Sequence, residues 1–244
     1  MTQEFQDTSG NITEQVTQKE LDNAKEILTQ VWGLMKQENI SPAVERKLEQ
    51  CFDLMPANTD INLVGMMFAR PVQTTRLQLA GFTKEQTIPY LEKIGWQGES
   101  YRLAEMMAIA PANFSSFILT FDVDEQVYPR IGLKYFTPCT TKDAPPWQEF
   151  LEILVRHQLC SPEKGEALRK WPGYTQIKGS SPSFLQIIEN AAALRENRLL
   201  NVMERNFGQI KMVYQPGLPF EAKAYLTCSC ANFLVPRNLE IASK

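Results

Sequence analysis

The chain has one histidine, His157, and five cysteines, Cys51, Cys139, Cys160, Cys228 and Cys230, and these are the residues from which nucleophilic or metal chemistry would first be built. A single imidazole removes most metal sites that use several, and it weakens any Ser-His or Cys-His nucleophile scheme. His157 falls on the apolar stripe of a predicted helix, near its C-terminus, where an imidazole serves as a structural or capping group. Cys228-Ser229-Cys230 is a Cys-x-Cys within a predicted strand, so alternation turns both thiols to one face. No second cysteine pair lies nearby in sequence, and buried thiols are expected there rather than a metal site. No phosphate-binding loop, dinucleotide-binding glycine fingerprint, nucleophile elbow or kinase-type signature occurs. The pattern requires no metal and no cofactor, and it identifies no catalytic constellation.

The remaining candidates sit on the polar sides of predicted strands: Arg76 with Gln78, Thr120 with Asp122, Lys134, Lys211, and Lys223 with Tyr225. If these strands share a sheet, its second face carries a basic and aromatic set. One reading is a solvated face with cross-strand ion pairs such as Asp122 with Lys134, each contributing roughly 0.2–1 kcal/mol. The other is a concave face on which Lys and Arg hold an anion while tyrosines line an apolar cavity.

The element that must position them is the hairpin of residues 114–137. Phe117, Leu119, Phe121 and Val123 alternate with Ser116, Thr120, Asp122 and Asp124, and Ile131, Leu133 and Tyr135 continue the pattern after a polar connection over 124–129. A second strand pair is expected from residue 60 to 80, broken at Arg70-Pro71, with Thr75, Leu77 and Leu79 opposing Arg76 and Gln78. A third is expected from Ile210 to Phe233 around the Pro216-Gly217 turn. Helices lie between the pairs. Residues 1–16 read as a tail, and a capping box at Thr17 to Glu20 opens a helix to about Gln37. Ser41-Pro42, Pro145-Pro146, Ser161-Pro162 and Ser181-Pro182 each start another, the last continuing or breaking toward Phe207. Thr83 to Gln86 is a second capping box, but Pro89 would remove a bond from its helix, so a later start or a bend is expected. The pattern predicts one α+β domain over residues 17–244, with a mainly antiparallel sheet of about three hairpins packed against helices on one face.

A chain of 244 residues with 43% hydrophobic and 22% charged residues is long and apolar enough to bury a core. A net charge of -3 supplies no basic field for a phosphate backbone, which argues against a nucleic-acid partner. The polar N-terminal stretch lacks the pattern of a signal peptide, no apolar run is long enough to span a bilayer, and the odd, scattered cysteines fit reduced thiols. A cytoplasmic protein without a membrane partner is the expectation.

Phe121-Asp122-Val123, followed by Gly132-Leu133-Lys134-Tyr135-Phe136-Thr137-Pro138, resembles a strand pair of the aromatic (ABBA-type) prenyltransferases, and Ala222-Lys223-Ala224-Tyr225 has that family's spaced Lys-x-Tyr form. Lys134 and Tyr135 are adjacent, which departs from the spaced form. The resemblance implies that Lys134, Lys211, Lys223 and Arg76 would bind an isoprenoid diphosphate and that Tyr225 would shield a carbocation. It also implies a closed barrel with more strands than the roughly six read here.

Two functions follow. The first is an accessory or binding protein that presents a sheet face or groove to a peptide or small hydrophobic ligand, through Arg76, Asp122, Lys134, Lys211, Lys223 and Tyr225. The alternative is a small transferase using an isoprenoid diphosphate and an aromatic acceptor.

Overall fold

The structure is a computed structural model that describes residues 26, 30, 41–66, 74–136, 145–176 and 197–236. The expected tail, the expected helix over 17–37 apart from Glu26 and Gln30, the Arg70-Pro71 break, Cys139 and the helix expected from Ser181-Pro182 lie outside these residues.

The described elements are α1 (Pro42–Asp53), β1 (Asp60–Met66), β2 (Thr75–Thr83), α2 (Lys84–Lys93), α3 (Ser100–Ile109), β3 (Ser116–Val123), β4 (Ile131–Tyr135), α4 (Pro145–Arg156), α5 (Pro162–Lys170), β5 (Gly173–Gln176), β6 (Asn197–Tyr214) and β7 (Glu221–Pro236). The fold is α+β with an antiparallel sheet, as the alternation of helices and strand pairs predicts. Contacts divide the chain into two compact units. The first comprises Met1–Met107, Ser115–Lys134 and Val213–Pro219, and the second Ala108–Phe114, Tyr135–Met212 and Phe220–Lys244. Among the described residues, no helix is long and apolar enough to cross a membrane.

In the first unit, β1, β2, β3 and β4 pair in chain order. The register sets Arg76 against Asp122, Leu77 against Phe121 and Leu79 against Leu119, so the apolar residues of β2 and β3 share one buried face. Past Leu79 the register slips, and Phe82 pairs with Phe117. One extra residue makes a bulge at Ala80 and Gly81, which returns Phe82 to the apolar face that strict alternation would deny it. The helices cover that face. Tyr90 of α2 packs its ring 5.0 Å from Phe82 and 6.4 Å from Phe121, and its hydroxyl donates to the Cys51 carbonyl of α1 at 2.7 Å.

The helix starts follow the predicted caps. Ser41 Oγ accepts from Val44 N at 3.3 Å ahead of Pro42, and Thr83 and Gln86 form both halves of a capping box. Of the two expectations for Pro89 the later start is corrected, because α2 begins directly at Lys84 and includes the proline. The box satisfies the first donors, Thr87 Oγ1 donates to Thr83 O at 2.6 Å, and Tyr90 and Leu91 are buried, which together offset one missing backbone bond. Gly95, at φ 79°, ends the helix and lets Trp96 N reach Leu91 O at 2.9 Å.

The second unit is centred on aromatic rings. Phe114 lies 5.0 Å from Phe150, 5.3 Å from Trp147 and 6.0 Å from Tyr135, and Trp147 lies 5.1 Å from Phe207. Trp147, Phe150, Leu151 and Leu154 are buried as the predicted stripe of α4, but His157 is not on it. His157 follows the last helical residue and is exposed, since the last turn of α4 carries it beyond the packed stripe. A helix continuing to Phe207 is likewise corrected. Strand β6 already begins at Asn197, and the four residues of β5 pair with Val202 to Arg205. Trp171 Nε1 donates to Asn206 O at 3.2 Å beside that pairing, a long-range contact that no local window contains.

Candidate functional site

Opposite the helices of the first unit, β2, β3 and β4 present a ladder of polar side chains. Gln78, Thr120 and Gly132 form one row across the three strands, and Arg76 with Asp122 forms the next. Arg76 donates from Nε to Asp122 Oδ1 at 2.7 Å and from Nη2 to Oδ2 at 2.8 Å. Lys134 stands opposite Ile118 yet donates to Gln78 Oε1 at 2.6 Å, so its side chain spans β3 to reach β2. The ion pair expected between Asp122 and Lys134 therefore gives way to Arg76–Asp122 and Lys134–Gln78. The register explains the exchange, because Asp122 lies directly across from Arg76, whereas four residues along β3 separate it from the position opposite Lys134.

This ladder is half-buried. Arg76 and Asp122 side chains are 24% and 17% exposed. Burial, and secondly the Arg76 charge, hold the Lys134 ammonium below the ordinary lysine range. Thr120 is 3% exposed, and its Oγ1 has no hydrogen-bond partner among the described residues. Gly132, beside it on β4, contributes no side chain to the row. Arg76, Asp122 and Lys134 thus stand together on a partly desolvated surface, where charged hydrogen bonds are stronger than in water. It contains no nucleophile with an adjacent base.

The other predicted site residues belong to the second unit. Lys211 is half-buried on β6. On β7, Lys223 is 46% exposed and pairs with Glu221 at 3.1 Å, and Tyr225 is 44% exposed. Lys223 also lines a groove of about 430 Å³ formed by the end of α4, the first turns of α5, β6 and β7. Lys164 and Cys160 share that groove, and sequence reading singled out neither for a site. The only local signal was the Ser161-Pro162 helix start, which fixes where the first turn of α5 presents Lys164. Burial pushes the Cys160 thiol up, partly countered by the Lys164 charge.

Cys228 and Cys230 are exposed, which corrects the expectation of buried thiols. Residues 221 and 223–230 of β7 are all exposed, so alternation there selects no buried side. Among the described residues, no group of three or more His, Cys, Asp or Glu side chains is placed to hold a metal ion.

The fold and the ladder define an α+β protein with a polar, cationic sheet face set opposite a helix-covered one. In comparisons with protein-family models, curated proteins and solved structures, none matches the chain.

Proposed function

We propose that the protein is a binding protein whose ligand, a small hydrophobic molecule with an anionic group, docks on the polar face of β2, β3 and β4. The observation that carries this reading is the Lys134–Gln78 and Arg76–Asp122 ladder around a buried Thr120 hydroxyl that has no partner among the described residues. Two cations held by strand backbone are positioned with little loss of side-chain freedom on binding. Burial, and secondly the Arg76 charge, depress Lys134, and an anion beside it would offset both by favouring the charged ammonium.

The test is a thermal shift of the full chain with 2-naphthoate at saturation. The expected result is stabilisation of the wild type and a clearly smaller shift of Lys134→Gln or Arg76→Gln, since a ligand that binds only the folded state stabilises by mass action. An equal shift in wild type and Lys134→Gln removes this face from the reading.

A second reading, a transferase acting on an isoprenoid diphosphate and an aromatic acceptor, draws support from the element order. Helix, helix, strand, strand follow one another as α2, α3, β3, β4, and among the described residues α4, α5, β5, β6 come in the same order. Lys134 lies on the sheet face away from the helices, where the resemblance to aromatic prenyltransferases would place a diphosphate ligand. An unreactive isoprenoid thiodiphosphate separates the readings. Stabilisation by it, with none by 2-naphthoate, favours the transferase, and no stabilisation at saturation counts against it.

A further inference from the structure

The groove of the second unit is apolar at its floor and cationic at its rim. Leu151 and Leu154 of α4 and Ile210 of β6 line it and are at most 3% exposed, so they are core residues that turn one edge to the opening. Lys164 in the first turn of α5 and Lys223 on β7 line it as well, and no Asp or Glu does. Lys223 is half-neutralised by Glu221 at 3.1 Å, whereas the Lys164 ammonium has no ion-pair partner among the described residues. Ser161, the N-cap of α5, is also in the lining, which places the positive end of that helix at the same rim.

From this geometry we infer that the groove is a second binding site, separate from the sheet face of the first unit, for a carboxylate carried on an apolar chain. The volume of about 430 Å³ is that of a small-molecule site. The chain lies along Leu151, Leu154 and Ile210, and the head group meets Lys164 and Lys223. One unpaired cation and one shared cation match a single negative charge better than a phosphate dianion. Removal of the ligand's own chain from water supplies affinity, and the lysines fix the orientation of the head.

Calorimetric titration of the full chain tests this, with decanoate as the probe and decanol as its uncharged match. Decanoate should bind saturably, at least tenfold more tightly than decanol. In a Lys134→Gln background, which disables the sheet face, Lys164→Gln should lose at least tenfold in decanoate affinity, and Ala167→Trp, which adds an indole to the groove from an exposed helix position, should abolish binding. Circular dichroism confirms that both variants fold, and neither changes a residue with a buried polar partner. Decanoate binding that survives Lys134→Gln but not Ala167→Trp separates this site from the sheet face. Equal affinity for decanol, no saturable decanoate binding, or undiminished binding by Ala167→Trp overturns the inference.

Discussion

Arg76 and Asp122 face each other across β2 and β3, and the guanidinium grips both carboxylate oxygens, at 2.7 and 2.8 Å. An exposed ion pair of this kind contributes about 0–1 kcal/mol. This one is bidentate, held by two neighbouring strands and largely shielded from water, so each side chain is already ordered before the pair forms. Arg76→Gln and Asp122→Asn are each expected to destabilise by about 1–3 kcal/mol, because each leaves a half-buried partner behind. The double variant should lose less than the sum of the two. Urea denaturation of the four proteins gives the coupling, and strict additivity would show that the pair does not hold β2 to β3.

Lys134 answers to the same arginine. Its ammonium is held below the ordinary lysine range first by burial and then by Arg76. Because the folded-state value is depressed, charged Lys134 costs the folded state stability at all pH values below that range, and the cost lifts as pH rises toward the unfolded value. In Arg76→Leu a like charge is gone and Asp122 is freed to attract the ammonium, so the Lys134 pKa should rise. A pH titration of the lysine Cε resonance reads the change. No rise, or a fall, would mean that Arg76 does not act on Lys134.

Alkaline pH acts on the opposite face. Burial pushes the Cys51 thiol from 9.0 up to about 12, with Lys47 acting weakly in the other sense, and burial raises Tyr90 as well. A group that stays protonated when folded but ionises when unfolded binds more protons in the folded state, so stability falls as pH rises through the unfolded value. For Cys51 that window runs from about 9 to about 12, at up to about 1.4 kcal/mol per pH unit. Cys51→Val should flatten the decline between pH 9 and 10, measured by urea midpoints. An unchanged slope would assign the decline to other groups. In the native protein, thiol reagents should label the exposed Cys228 and Cys230 and spare Cys51 until unfolding.

The caps and faces were legible because they are local. Ser41, Thr83 and Ser161 each declare a helix start through a hydroxyl that accepts from the amide three residues on, and Phe117 to Val123 declare a buried face by alternation alone. Arg76, Asp122 and Lys134 could be placed on one face for the same reason. Their pairing could not, because it depends on which residue of β3 stands opposite each residue of β2 and β4. The start of β6 was misread for a related reason, since its partner β5 is only four residues long and lies more than twenty residues upstream. Lys164 was passed over because a lysine in the first turn of a polar helix looks solvated until β7 is brought beside it. The bulge in β2 left a readable trace, as the apolar positions step from Leu77 and Leu79 to Phe82 with a glycine between.

That glycine gives the sharpest stability test. Gly81 sits at φ 81°, and a Cβ there would lie 2.4 Å from Asn58 O and 3.3 Å from Thr59 Cα, both backbone atoms. Gly217, in the turn between β6 and β7, has a similar φ of 71° but nothing within 4 Å of a Cβ. Gly217→Ala therefore carries only the left-handed backbone penalty, about 1–2 kcal/mol. Gly81→Ala carries that penalty and must also push the Asn58 loop away or straighten the bulge, and straightening would turn Phe82 out of its contact with Tyr90. The expected loss for Gly81→Ala is at least about 1 kcal/mol greater than for Gly217→Ala, with the excess falling on the packing of Phe82. Urea denaturation of the two variants, alongside the near-ultraviolet signal of Tyr90, measures both parts. Equal losses would show that the loop yields freely and that the bulge does not depend on glycine.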